Sequence, residues 1–299
     1  MGASSLFIVK TNQGRIEVVA KKLSLLGLES ALRMEELDPQ FQAIKLITSR
    51  MSFGSALTLT TLNSIISYRL SGRGEDYWNE FALYVSKASE PKSLIDAVKL
   101  VTSFLTTSKI NVALRTVKVS RLLRASVARV LEPSRIVEQT SDLRNFAKEL
   151  AASLKSKWSS KTIVFSLKMI CYAYRAYYGK PIIAPFNIPI PVDSRIAKIS
   201  WASGIAEIEG RDVKSWSDVI KVITSKPRNV QRAWSLIAKR CRMPPLHLDS
   251  ILWLVGGFIV KGSSRDDAVE KASKALSRLV SRDVNEVFTI VSELITRYL

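Results

Sequence analysis

The chain has 299 residues, hydrophobic residues make up 47% of it, and its formal net charge is +19. That length buries one good core or two lobes, and the apolar fraction excludes a disordered basic tail. The charge selects a polyanionic partner, nucleic acid first, without specifying a reaction, and a merely soluble or ribosome-associated basic protein has the same balance.

Taken in chain order, the opening MGASSLFIVKTNQG has too short an apolar stretch for a signal peptide. Asp38-Pro39 is a helix start, an N-cap followed by proline at the first helical position, and predicts a helix over Gln40 to Arg50. Asp76-Tyr77-Trp78 opens another, with Trp78, Phe81, Tyr84 and Val85 as its apolar stripe. Helices are expected over Leu94 to Leu105, over Asn111 to Leu131 with Arg115, Lys118, Arg121, Arg124 and Arg129, and over Leu143 to Leu154. The junction Lys155-Ser156-Lys157-Trp158-Ser159-Ser160 is short and polar, and a helix from Lys161 to Tyr178 follows, stopped by Gly179.

KPIIAPFNIPIPVDSR holds Pro181, Pro185, Pro189 and Pro191, cannot be helical, and is expected to run extended across the surface. Asp193 ends it as the N-cap of a helix with Ile196, Ile199 and Trp201. Helices over Ser217 to Ile223, Pro227 to Arg240, Pro245 to Val260, Arg265 to Val280 and Val284 to Tyr298 complete the chain. The most apolar run, Ile251 to Val260, falls short of the roughly 18 residues of a membrane span, so a cytoplasmic protein without membrane contact is expected. There is no internal repeat, and the expected fold class is all-α.

Two cysteines, Cys171 and Cys241, supply neither a disulfide framework nor the four thiolates of an iron–sulfur cluster, and one histidine, His247, argues against a zinc site. No metal and no cofactor is expected, so the chemistry falls to Lys, Asp, Glu and aromatic side chains. Lys161 stands at the first turn of its helix, ahead of an apolar run. A lysine nucleophile has to shed its proton from a reference pKa near 10.4, which burial, nearby positive charge and a helix N-terminus all favour. The plainer alternative is a solvated lysine that contacts phosphate. Asp193 has two readings as well. It is a helix cap, and a carboxylate held by backbone amides is also fit to stabilise a positively charged sugar.

Lys161-Thr162-Ile163-Val164-Phe165 after a polar hairpin, followed by Pro191-Val192-Asp193, resembles the helix-hairpin-helix DNA glycosylase superfamily. The segments SKTIVFSLKM, IPIPVDSRIA and PPLHLDSILWL, within Ser160 to Leu254, are similar to the archaeal 8-oxoguanine DNA glycosylase family of the AGOG type. The resemblance implies a bifunctional glycosylase and abasic-site lyase of base-excision repair. Lys161 would attack C1′ and form a Schiff base, β-elimination would cut the strand, and Asp193 would stabilise the sugar cation. Phe165 and Trp253 would cover the two faces of an extruded base, although by spacing alone both read as core residues. Asp249, Gln40 and Trp78 would complete the base pocket; His247 receives no catalytic role.

The expected architecture is two helical lobes, one over 60–180 ending in the hairpin and one of 1–59 with 181–299, with the active site in the cleft between them. Gln40 would then come from one lobe and Lys161 from the other. The resemblance implies DNA containing 8-oxoguanine as the partner, and a monomer is expected. The hairpin turn Lys157-Trp158-Ser159-Ser160 lacks the superfamily's glycine, so phosphate contact falls to serine hydroxyls and helix N-terminal amides. The alternatives are a glycosylase for a different damaged base and a non-catalytic helical nucleic-acid-binding protein.

Overall fold

The computed structural model describes residues 7–210 and 212–299; the opening stretch weighed above as a signal peptide lies partly outside the described residues. In chain order the first elements are β1 (Ile8–Thr11), α1 (Gln13–Ser24) and α2 (Gly27–Glu36). Next come α3 (Pro39–Thr48), α4 (Phe53–Ile66), α5 (Gly74–Val85), α6 (Leu94–Thr107), α7 (Arg115–Ala125), α8 (Ile136–Gln139), α9 (Leu143–Ser153) and α10 (Lys161–Tyr178). The chain closes with α11 (Ser194–Ala202), β2 (Ala206–Glu209), α12 (Trp216–Ser225), α13 (Arg228–Arg240), α14 (Pro245–Gly257), α15 (Arg265–Val280) and α16 (Val284–Leu294). Among the described residues no helix is long and apolar enough to cross a membrane.

Helix starts are written locally. Ser93, Ser215 and Ser264 each accept the backbone N–H of an aspartate three residues on, which satisfies an orphan donor of the first turn. Asp38 accepts from Gln40 N, and Asp193 from both Arg195 N and Ile196 N. Gly179 takes a φ of 70° and returns its N–H to Arg175 O, ending α10 where a Cβ would be strained.

Two compact units result: Met1–Glu35 with Phe186–Leu299, and Glu36–Pro185. The second begins at residue 36 rather than the expected 60, because α3 packs on α5 and α10. Gln40 therefore shares a unit with Lys161, where the sequence reading separated them.

In the continuous unit, α4 is buried at every residue and lies along α10 and α6. A Cβ on Gly54 would stand 1.9 Å from the carbonyl oxygen of Pro133, which is backbone and cannot swing aside. Gly54→Ala is expected to cost about 3 kcal/mol, read as a drop in the urea midpoint.

The long helix expected over Asn111 to Leu131 is shortened to α7 and a 3₁₀ turn at Arg129–Leu131. Asn111 is held outside it, its amide donating to Ile66 O at 3.2 Å and to Tyr77 Oη at 2.9 Å, while Leu114 takes a left-handed φ of 57° before the helix begins. Lys118, counted in sequence with a basic surface, is fully buried. Its Nζ donates to Asn111 Oδ1 and lies 4.8 Å from the Tyr68 ring centroid. Burial, with the neighbouring Arg115 charge, lowers its pKa to about 8. The unfolded chain then binds more protons than the folded one from about pH 8 to 10, so stability rises with pH across that window. Above it the buried Tyr77 phenol, pushed up by desolvation, reverses the trend. Denaturant titrations at pH 7 and pH 9.5 are expected to show the gain, and Lys118→Met to remove most of it.

In the unit formed by both chain ends, α1, α11 to α16 and the small sheet share one apolar core. β1 pairs antiparallel with β2, Val9 opposite Ile208. Residues 188–192 do not lie on the surface as expected. Ile188, Ile190 and Val192 are buried, and Gln231 Nε2 donates to Ile190 O at 3.2 Å. α14 stops at Gly257, short of Val260, and α16 at Leu294, where Thr296 N and Arg297 N turn to Ala202 O.

Candidate active site

Within the continuous unit, Lys161 is the first residue of α10 and is exposed rather than buried. Among the described residues no acidic group pairs with it. The turn before it is built without glycine. Lys155 takes a φ of 49°, its N–H reaches Ala152 O, and Ser156 N reaches Ala151 O at 2.8 Å, so α9 ends in the usual left-handed way with a lysine in glycine's place. Arg121 of α7 braces this hairpin, with Nη2 donating to Thr162 Oγ1 at 3.0 Å and Nη1 to Ser156 Oγ at 3.5 Å. Ser160 Oγ is buried with no hydrogen-bond partner. The result is a hairpin with Lys155, Lys157 and Lys161 at its surface, a basic edge suited to phosphate.

Phe165, one turn on, is half-buried and packs edge to face with the buried Trp78 ring, 6.2 Å between centroids. Trp78 thus backs Phe165 rather than standing at the surface. Two residues the sequence reading passed over continue this face of α10. Lys168, seven residues after Lys161, is buried, and Tyr172 donates from Oη to Asp38 Oδ2 at 2.9 Å. Burial pushes the Asp38 carboxyl up, opposed by the Lys168 charge and by hydrogen bonds from Gln40 N and Tyr172. Since Asp38 also caps α3, this contact ties the first turn of α3, and with it the buried Gln40, to α10. Gly74, the first residue of α5, lies beside the Gln40 amide, where a Cβ would stand in ordinary contact at 3.4 Å from Nε2. The i, i+4, i+7 and i+11 spacing of Lys161, Phe165, Lys168 and Tyr172 is the signal in sequence that places them on one face.

Within the other unit, Asp193 caps α11 through Oδ1 at 2.9 Å from each of two amides, and among the described residues no hydrogen bond reaches Oδ2. Asp249 is buried on α14 and Trp253 half-buried one turn later. His247 and Ser250, also on α14, meet Glu35: Nδ1 lies 2.9 Å and the serine Oγ 3.4 Å from Oε1, a buried fastening of α14 to α2. Among the described residues no group of three or more His, Cys, Asp or Glu side chains could hold a metal ion.

One unit therefore presents an unpaired amine with an aromatic ring behind it, and the other a fixed carboxylate with an indole and a second carboxylate. A family model described as AGOG: N-glycosylase/DNA lyase matches residues 20–288. Among relatives named N-glycosylase/DNA lyase, that of Aeropyrum pernix is 32% identical over 291 residues, 95% of this chain and 96% of its own. That of Methanopyrus kandleri is 35% identical over 256 residues, 82% and 89% of the two chains. The crystal structure of Pa-AGOG, an 8-oxoguanine DNA glycosylase from Pyrobaculum aerophilum complexed with 8-oxoguanosine, matches with a TM-score of 0.71 and 29% identity, covering 91% of this chain and 98% of that one. The chain belongs to the AGOG family of N-glycosylase/DNA lyases.

Proposed function

We propose that this enzyme excises 8-oxoguanine from DNA and then cuts the strand, with Lys161 as nucleophile and Asp193 as the carboxylate that stabilises the reacting sugar. The observation that carries the reading is the unpaired Lys161 amine at the start of α10, one turn from Phe165, in a family whose members are lyases. The substrate follows from the likeness to Pa-AGOG, which was crystallised with 8-oxoguanosine.

The lesion nucleotide has to leave the duplex, at a cost of a few kcal/mol, offset by stacking worth roughly 1–3 kcal/mol per face. Phe165 and Trp253 serve as those faces; Gln40 and Asp249 are the polar groups offered to the base edge. As the bond from C1′ to the base breaks, positive charge grows on the sugar and the Asp193 carboxylate opposes it. The Lys161 amine bonds to C1′, the base leaves with the bonding pair and takes up a proton, and ring opening gives the protonated imine. Loss of a proton from C2′ expels the 3′ phosphate, which breaks the strand.

Borohydride reduces the imine and leaves a covalent protein–DNA adduct. The expected result is an adduct with an oligonucleotide carrying 8-oxoguanine and none with undamaged guanine. Trapping only with another altered base in a lesion panel would reassign the substrate.

A further inference from the structure

Asp193 and the indole of α14 are joined by one residue, Arg195, whose side chain the proposed chemistry leaves unused. Arg195 donates its backbone N–H to Asp193 Oδ1 at 2.9 Å. Its guanidinium carbon lies over the Trp253 ring, 3.5 Å from the centroid, closer than any other cation–aromatic pair among the described residues. α14 can approach this closely because Gly256, three residues after Trp253, puts no side chain against the Arg195 backbone. A Cβ on Gly256 would lie 2.8 Å from Arg195 O, and one on Gly257 3.4 Å from Arg195 Nη1. Lys198, one turn along α11, donates Nζ to Ile259 O and fastens the same two segments a second time. Burial and the Arg195 charge lower the pKa of Lys198, with Asp193 acting against them.

We infer that Arg195 is a positioning residue for base excision: it occupies one face of the Trp253 ring and holds the indole in register with the Asp193 carboxylate, so that an extruded purine takes the opposite face. The inference rests on the function proposed above. A guanidinium on one side of an indole draws π density toward itself, which strengthens stacking of an electron-rich oxidised purine on the other side. The same residue contributes its amide to the carboxylate and its side chain to the platform, so the group acting on the sugar and the group gripping the base are set by one backbone position.

The test compares two steps within each variant: single-turnover release of 8-oxoguanine, which needs the platform, and cleavage at a preformed abasic site, which has no base to stack. Arg195→Gln is expected to slow base release about tenfold, as loss of a desolvated cation–π contact would, with abasic-site cleavage within twofold of wild type. Arg195→Lys should recover part of the loss. In a Trp253→Ala background, Arg195→Gln should add no further loss, because its partner is gone. Equal decline of both steps in Arg195→Gln, wild-type base release by that variant, or a full additional loss in the Trp253→Ala background would each overturn the inference. Wild-type protein that cleaves abasic sites but leaves 8-oxoguanine in place would instead overturn the substrate reading, and the ratio would then be measured with the base that wild type does release.

Discussion

Lys161→Gln is expected to abolish the borohydride-trapped adduct and to lower strand cleavage by more than about a thousandfold, since a glutamine amide cannot form the imine. Glutamine is close to lysine in helix propensity, and the side chain is exposed at the first turn of α10, so the fold is expected to lose less than about 0.5 kcal/mol. Circular dichroism melts of the two proteins should therefore superimpose while their activities part. Gel analysis after reduction with borohydride gives the decisive comparison. An adduct of undiminished yield in the variant would move the nucleophile to another amine, with Lys155, Lys157 and Lys168 the ones to replace next.

Asp193→Asn separates the two roles of one side chain. Asparagine caps a helix about as well as aspartate, so both hydrogen bonds, to Arg195 N and Ile196 N, survive and stability is expected to hold. What disappears is the negative charge, part of it on Oδ2, which no hydrogen bond reaches among the described residues. Loss of a single aligned electrostatic group slows a reaction by about 10²–10³-fold. Base release under single-turnover conditions is expected to fall by that amount, while affinity for lesion DNA in a mobility-shift titration stays level or rises, one repulsive charge having been removed. Near-normal release by Asp193→Asn would reduce the residue to a cap; Asp193→Ala, less stable by about 1 kcal/mol, would then report the cap alone.

Much of the helical frame is written in neighbouring residues. Asp38-Pro39, Asp193 and Gly179 announce their boundaries because a cap or a left-handed stop is decided within three or four positions. The strand Ile8–Thr11 is four residues long and has no partner until Ala206–Glu209, so no local pattern marks it. Asn111 looks helical and is not, because its amide is used by Ile66 and Tyr77. Lys118 shares a sequence pattern with surface arginines, yet the pull of Asn111 and Tyr68 takes it inside. Of the candidate site, the i, i+4 pair Lys161 and Phe165 and the capping Asp193 were legible in the sequence, but their roles came only with the family resemblance. Lys168 and Tyr172, on the same face of α10, went unread. The Arg195 stack was not, although Gly256-Gly257 one turn after Trp253 is the trace it leaves in the sequence.

The split between a continuous unit and one closed by both chain ends also sets an order of events during synthesis. Residues 36–185 leave the ribosome as an unbroken run, and α3, α4 and α10 can gather around one another before α11 exists. Val9 must wait for Ile208, and Arg15 for Glu293, whose side chain it meets at 2.9 Å. For most of translation the apolar face of α1, with Ile16, Val19 and Leu23, therefore lacks its final cover, and this is the stretch most exposed to misassociation. A nascent chain carries Lys161, the proposed nucleophile, before it carries Asp193 and Trp253. On the proposed assignment, base excision therefore waits until α11 and α14 have been made and α1 has found its cover in α13 and α16.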